Sequence, residues 1–507
     1  MSNFKDLKKT LGRWFSWPWY PIAFSAYPVL GLLAQNIGEV RLSAAGRPLL
    51  MSLGLASILF LGLSLVLGNQ ERAAFLSILW LALVFFYGHV YLLVIGRWKD
   101  FDSTPWLFVA WLALAVLAVV WAVKKSPAPQ VLNLMVLGLV ITSLWQISAG
   151  SRWGGARRLA AENSPVQDLV RPQNPPDIYY FILDMYTRDD LLKSAYGYDN
   201  SNFLNELKAR GFYVARCSQS NYTRTELSVA SSLNMAYIQE LDPAFANPRN
   251  KQRGRLWDAF KHSAVRYNLD QLGYQTVSFA TGFAWSELED ADVFLTPPSS
   301  PALSEFETLF LQTTLARIGQ DLGGLDLDQS YGQNFRNRHQ LVFDSMQKVA
   351  NMPGPQFVYV HLILPHPPFV FGPDGEYTNP ADFWNEQKKY PTDQFKIGYI
   401  NQIIFLNTQL LELIDTILSE SETPVIILLQ GDHGPWFESN PEHFFILNAY
   451  YLPGHTDQLY PHISPVNSFR LIFNNYFGGK YDMLPDVTYY SPVPNLYDFS
   501  EVKNSCL

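Results

Sequence analysis

Cysteine is almost missing from this chain. Only Cys217 and Cys506 occur in 507 residues, far apart in sequence. So small a supply implies neither a disulfide framework nor a cysteine-built metal site. Charge is scarce as well, at 16% of residues, and the balance is acidic at −8. The two ends of the chain differ, since eleven Lys and Arg against five Asp and Glu give residues 1–150 a charge of +6, leaving −14 for the remainder. An acidic remainder argues against nucleic acid as a partner. It leaves a phosphorylated substrate open, because a bound dication dominates its local field. No internal repeat or low-complexity tract is present.

Apolar sequence, in contrast, is plentiful. Five apolar segments lie at roughly 19–35, 48–68, 74–95, 105–123 and 130–148, each near the ~20 residues a helix needs to cross a bilayer. Trp14, Trp17, Trp19, Tyr20, Trp98 and Trp106 flank them, as expected at membrane interfaces. Buried helices of a soluble protein would not supply five such runs with almost no internal charge. The first segment is not a plain signal peptide, since four more follow. Lys and Arg divide seven against seven between the two sides, so their count does not orient the bundle. The basic tail of Lys5, Lys8, Lys9 and Arg13 is read as cytoplasmic. Five crossings then place the large C-terminal part outside the cytoplasm.

The expected domains are a transmembrane helical region over 1–149, a polar connector over 150–176 and a catalytic α/β domain over 177–507. In that last stretch strands alternate with helices. Asp177–Leu183, Tyr274–Ala280, Phe357–Ile363 and Pro424–Gln430 read as strands. Asn202–Arg210, closed by Gly211, and Tyr399–Leu418 read as helices. Strands separated by helices imply a mostly parallel sheet covered on both faces.

Four segments could carry chemistry. Asp432-His433, flanked by Gly431 and Gly434, ends the last strand; a carboxylate and an imidazole at a rigid strand end suit a divalent metal. Asp184 ends the first strand; taken singly, it reads better as a turn former or helix cap. His366 sits in Leu364-Pro365-His366-Pro367-Pro368, either on a stiff loop that could donate to a substrate oxygen or in a surface turn. Finally, Asn221-Tyr222-Thr223-Arg224-Thr225-Glu226-Leu227-Ser228 crowds hydroxyls at a helix start. That start would favour an anion, although by itself it reads as an N-cap.

Together, in order and spacing, these segments resemble the sulfatase and alkaline-phosphatase superfamily over about residues 176–475. The resemblance implies that Asp184, Asp432 and His433 hold one divalent ion and that Thr225 is both nucleophile and fourth ligand. His366 would contact the substrate. Ser228, Ser231 and Leu233 match the family's nucleophile segment. The chain departs from a formylglycine sulfatase in having Thr225 where Cys or Ser is needed and Val229 where Arg is needed. Phe279-Ala280-Thr281-Gly282-Phe283 also stands where Lys and His are usual. A threonine nucleophile on a multi-span anchor is more similar to the lipoteichoic acid synthase and phosphoethanolamine transferase branch.

This similarity implies a phosphotransferase in a bacterial inner membrane that moves a phosphorylated head group from a phospholipid donor to a glycan or lipid acceptor. Two carboxylates, an imidazole and an alkoxide suit Zn²⁺ or Mn²⁺ rather than Ca²⁺ or Mg²⁺. Arg224 and Asn221 are further candidate phosphate contacts. The alternatives are a hydrolase with the same site (a phosphodiesterase or an atypical sulfatase) and a non-catalytic membrane protein with a degenerate domain. His455 and His462 read as solvated loop residues.

Overall fold

The computed structural model describes residues 16–97, 104–124, 128–151, 169–298, 303–321, 324, 327–380, 392–435, 441–493, 495–504 and 506. The basic tail and most of the 150–176 connector lie outside them. The chain divides into two compact units, Met1–Arg152 with Pro301–Tyr331, and Trp153–Ser300 with Gly332–Leu507.

The first unit is helical. Its helices α1 (Tyr20–Gln35), α2 (Gly46–Leu67), α3 (Gln70–Arg97), α4 (Thr104–Lys124) and α5 (Pro129–Ser151) match the five apolar runs. Among the described residues, Leu42–Leu67, Gln70–Val94 and Pro129–Ala149 are long and apolar enough to cross a membrane, and Trp106–Ala122 is a shorter apolar helix. Leu50, Met51, Ile58, Leu61 and Leu65 of α2 remain exposed, a surface suited to lipid rather than water.

Residues 301–331 fall inside the stretch expected to form the catalytic domain, yet they group with these helices. The reason is apolar packing. Phe306 and Phe310 join a core with Tyr20, Phe24 and Phe85. The short helix Glu305–Thr313 starts in a reciprocal Ser304–Glu307 capping box, and Glu307 also pairs with Arg47 at 2.6 Å. Close approach is permitted by Gly88, where a Cβ would stand 2.1 Å from the Gln312 carbonyl oxygen.

The second unit is built on a seven-stranded sheet. Its strands are β1 (Asp177–Leu183), β2 (Tyr213–Val214), β3 (Gln275–Phe279), β4 (Val293–Leu295), β5 (Gln356–Leu362), β6 (Val425–Gly431) and β7 (Asn448–Tyr451), in the order β2-β7-β6-β1-β5-β3-β4. The β6-β1-β5-β3-β4 portion is parallel, while β7 runs antiparallel to β6. All of β1, β5 and β6 is buried, as their continuous apolar sequences require. Side chains alternate between two cores. Ile178, Tyr180 and Ile182 meet α6 (Thr225–Asn234) and α9 (Pro465–Tyr476) on one face. Tyr179, Phe181 and Leu183 meet α7 (Leu327–Ala350) and α8 (Asp393–Glu420) on the other.

Two further features near the C-terminus were not expected from the sequence. Strands β8 (Thr488–Tyr490) and β9 (Ser500–Val502) form a separate antiparallel pair. Cys217 and Cys506 are joined by a disulfide, with Cα atoms 5.2 Å apart. A sequence separation of 289 hides the pairing, but the β8–β9 pair returns the C-terminal segment to the Cys217 loop.

Candidate metal centre

The two central neighbours β1 and β6 set the geometry. Their register pairs Ile182 with Gln430 and Leu183 with Gly431. Because side chains alternate with period two, Asp184 and Asp432, one step further on each, project to the same face as Ile182. This is the face covered by α6. Donor atoms of Asp184, Asp432 and His433 all lie within 4.8 Å of one another, and all three residues are buried.

Local contacts aim these groups. Met185, at φ 66°, turns the chain after Asp184 in the left-handed region, a strained conformation for a side chain of that size. Its N–H donates to Asp432 Oδ1 at 3.0 Å, and the His433 N–H donates to the same oxygen at 2.9 Å. The His433 Nδ1–H bonds the Gly434 carbonyl at 2.9 Å, which leaves Nε2 as the free lone pair. Nε2 lies 3.5 Å from Asp432 Oδ2, 3.8 Å from Asp184 Oδ1 and 3.3 Å from Thr225 Oγ1.

Thr225 is the first residue of α6, whose N-terminus carries partial positive charge. The helix is held in place by the Tyr180 hydroxyl against Ser232 Oγ at 2.7 Å and by Asn234 Nδ2 donating to the Ala259 carbonyl at 2.9 Å. His366 is brought to the same strand ends: its N–H donates to the Asp184 carbonyl at 3.1 Å. Its Nδ1 bonds the Pro367 carbonyl at 2.5 Å. Asp184, Thr225, His366, Asp432 and His433 therefore converge on one place.

The charges there are unbalanced. Burial alone would raise the Asp184 carboxyl, but His366, His361 and His433 hold it down at about 2. Burial and the neighbouring Asp184 charge raise Asp432. Burial would lower His433, yet the two carboxylates outweigh it and raise the imidazole. Asp184 Oδ1 and Asp432 Oδ2 are buried with no hydrogen-bond partner among the described residues. Such oxygens are costly to bury unless a cation meets them. Two carboxylate oxygens, one imidazole lone pair and one hydroxyl fit a divalent metal ion.

His361 belongs to this surround and was not singled out in the sequence. It occupies β5 opposite Ile182, buried, with Nε2 3.7 Å from Asp184 Oδ2. Neither ring nitrogen has a hydrogen-bond partner among the described residues. The signal was a lone imidazole within the otherwise apolar run Phe357-Val358-Tyr359-Val360. Asn221 proves to be occupied elsewhere. Its Nδ2 donates to Ser464 Oγ at 3.0 Å and to the Val487 carbonyl at 2.9 Å, while its Oδ1 accepts from the Val466 N–H. Both side-chain N–H donors are thus used within the described residues. His462 is exposed and His455 half-buried against Tyr476. Arg470 is structural, bonding the Met235 and Asp482 carbonyls.

No family model matches the chain, and no curated protein does. Similar solved structures include the membrane-integral lipooligosaccharide phosphoethanolamine transferase A from Neisseria meningitidis. That likeness covers 90% of this chain and 95% of the other, at 11% identity and a TM-score of 0.37. The zinc complex of the periplasmic domain of EptC from Escherichia coli is 14% identical over 59% of this chain and 83% of its own, with a TM-score of 0.38. The phosphonate monoester hydrolase of Agrobacterium radiobacter is 12% identical over 62% and 80%, also at 0.38.

Proposed function

We propose that the chain is a membrane-anchored, metal-dependent phosphotransferase of the sulfatase-like kind. Thr225 would accept a phosphorylated head group from a phospholipid and pass it to a glycan or lipid alcohol in the cell envelope. The observation that carries this reading is the placement of Thr225 Oγ1, at a helix N-terminus and 3.3 Å from His433 Nε2, beside two buried carboxylates that each keep one oxygen without a hydrogen-bond partner among the described residues.

Asp184, Asp432, His433 and Thr225 would hold one divalent ion. When bound, that ion makes the hydroxyl a competent nucleophile at neutral pH and offsets the charge of the phosphoryl oxygens. Thr225 Oγ1, having given up its proton to solvent on binding the ion, would attack phosphorus in line with the leaving alcohol. The Oγ1–P bond forms, the bond from phosphorus to the leaving oxygen breaks, and a phosphothreonine results. His366 delivers a proton to the leaving oxygen and takes one from the incoming alcohol in the second half-reaction. The first turn of α6 offers N–H dipoles to the transferred group.

The extracytoplasmic side is proposed for the catalytic unit, in a bacterial inner membrane. The Cys217–Cys506 disulfide supports that side, since such bonds persist in oxidising compartments. The test is direct. Purified zinc-loaded protein is given head-group-labelled phospholipid with and without a glycan or lipid acceptor. Transfer of label to the acceptor supports the proposal. Release of label into water at the same rate in both would replace it with hydrolysis, and no label on Thr225 by mass spectrometry would end it.

A further inference from the structure

Arg224 immediately precedes the nucleophile, and the mechanism above gives it no task. It has extended backbone, φ −129° and ψ 139°, at the cap of α6. Its Nη2 is buried with no hydrogen-bond partner among the described residues. Burial lowers its basicity, and the charges that act on it are those of Glu226, Arg253 and Tyr490. Glu226 is already engaged, accepting from Trp257 Nε1 at 2.9 Å and standing 3.6 Å from Arg253 Nε. The neighbouring carboxylate is thus taken by Arg253 and Trp257, and no carboxylate among the described residues meets the Arg224 Nη2 on the flank of Thr225. A half-buried guanidinium with an unmade hydrogen bond is costly unless an anion completes it. The transferred phosphoryl group already has the metal centre and the α6 N-terminus to meet its charge.

We propose that Arg224, backed by Arg253, forms a subsite for a second anionic group, a phosphate or carboxylate carried on the same molecule as the phosphodiester that Thr225 attacks. The subsite rests on the proposed function in taking Thr225 as the point of attack. It would make the chain prefer doubly anionic substrates over singly anionic ones. A planar fork suits bidentate capture of such groups.

Calorimetric titration of the zinc-loaded full chain in detergent tests this without turnover, using inorganic phosphate and propane-1,3-diyl bisphosphate. The bisphosphate should bind about tenfold more tightly than phosphate, the worth of one charge-assisted contact. In R224A that advantage should fall below about twofold, and R224K should restore part of it. No advantage in the unaltered chain, or the same advantage in R224A, overturns the subsite. Circular dichroism checks the fold of each variant, and R224Q replaces R224A if the latter misfolds. A second pair of arms identifies the source of the anion. Cardiolipin is compared with phosphatidylglycerol in nanodiscs, and a uronate-bearing disaccharide phosphate with its neutral counterpart. An Arg224-dependent preference in either pair supports the subsite; its absence from both overturns it. An Arg224-dependent advantage in a chain that never acquires phosphate on Thr225 would keep the subsite and remove the transferase reading.

Discussion

At the scale of single residues, the centre is a balance between buried anions and too few protons. Replacing Thr225 with Ala should leave zinc content intact, because Asp184, Asp432 and His433 remain, while turnover falls on the order of 10³-fold or more. Metal analysis and product assay on the same preparation separate the two effects; lost zinc would mean that Thr225 is chiefly a ligand. The raised His433 pKa gives a second prediction. In the metal-free chain a proton on His433 stabilises the fold below its unfolded pKa, and that contribution disappears as pH rises through the raised value. Metal must displace the same proton, so zinc affinity should fall as pH falls through it, by about tenfold per unit. Competition with a chromophoric chelator between acid and neutral pH measures this, and a flat profile would take His433 out of the site. His361 has no such direct place. As the group beside Asp184 Oδ2, it should cost about 10–100-fold in zinc affinity when changed to Phe, with the fold retained.

At the scale of elements, the site depends on how closely two strand ends approach. Gly431 has no room for a side chain, since a Cβ there would lie 2.3 Å from the Tyr186 carbonyl oxygen and 3.2 Å from Ile446 Cβ. Gly431→Ala should therefore push β6 away from the turn that follows Asp184, costing about 3 kcal/mol. A fall of that size in denaturant unfolding, accompanied by weakened zinc binding, is the expected result; an unchanged midpoint would show that the turn yields freely. The same elements show what sequence could reveal. Strands β1, β5 and β6 are fully buried, so their long apolar runs announced them, and the polar groups at the ends of β1 and β6 stood out by contrast. The two-residue β2 and the four-residue β7 were illegible, because their pairing comes from the sheet edge they join and not from their own pattern. His361 was hidden for the opposite reason, as its strand neighbours are so apolar that the run reads as core. Residues 301–331 were misleading in a third way. Their short amphipathic helix carries no sign of which apolar surface it meets, and Phe306 and Phe310 meet the helices of the first unit.

At the scale of the whole molecule, compartment is the remaining question, and Lys and Arg counts do not answer it. The disulfide bears on it directly. Cys217 leads into the loop that ends at Thr225, and from there Tyr222 packs on Tyr489 and Phe499 of the C-terminal segment. Cys506 lies a few residues beyond that segment's last strand. The bond thus ties the C-terminal tail to the chain that carries Thr225, and losing it should cost about 2–5 kcal/mol. A reducing cytoplasm would not maintain it. In intact spheroplasts, a membrane-impermeant maleimide should therefore leave the full chain unlabelled until an impermeant reductant is added, after which Cys217 and Cys506 should both react. Labelling only after lysis would place the catalytic unit in the cytoplasm. Labelling without reductant would show that the bond is not formed in the cell, and in either case the argument from the disulfide to an extracytoplasmic centre would fail.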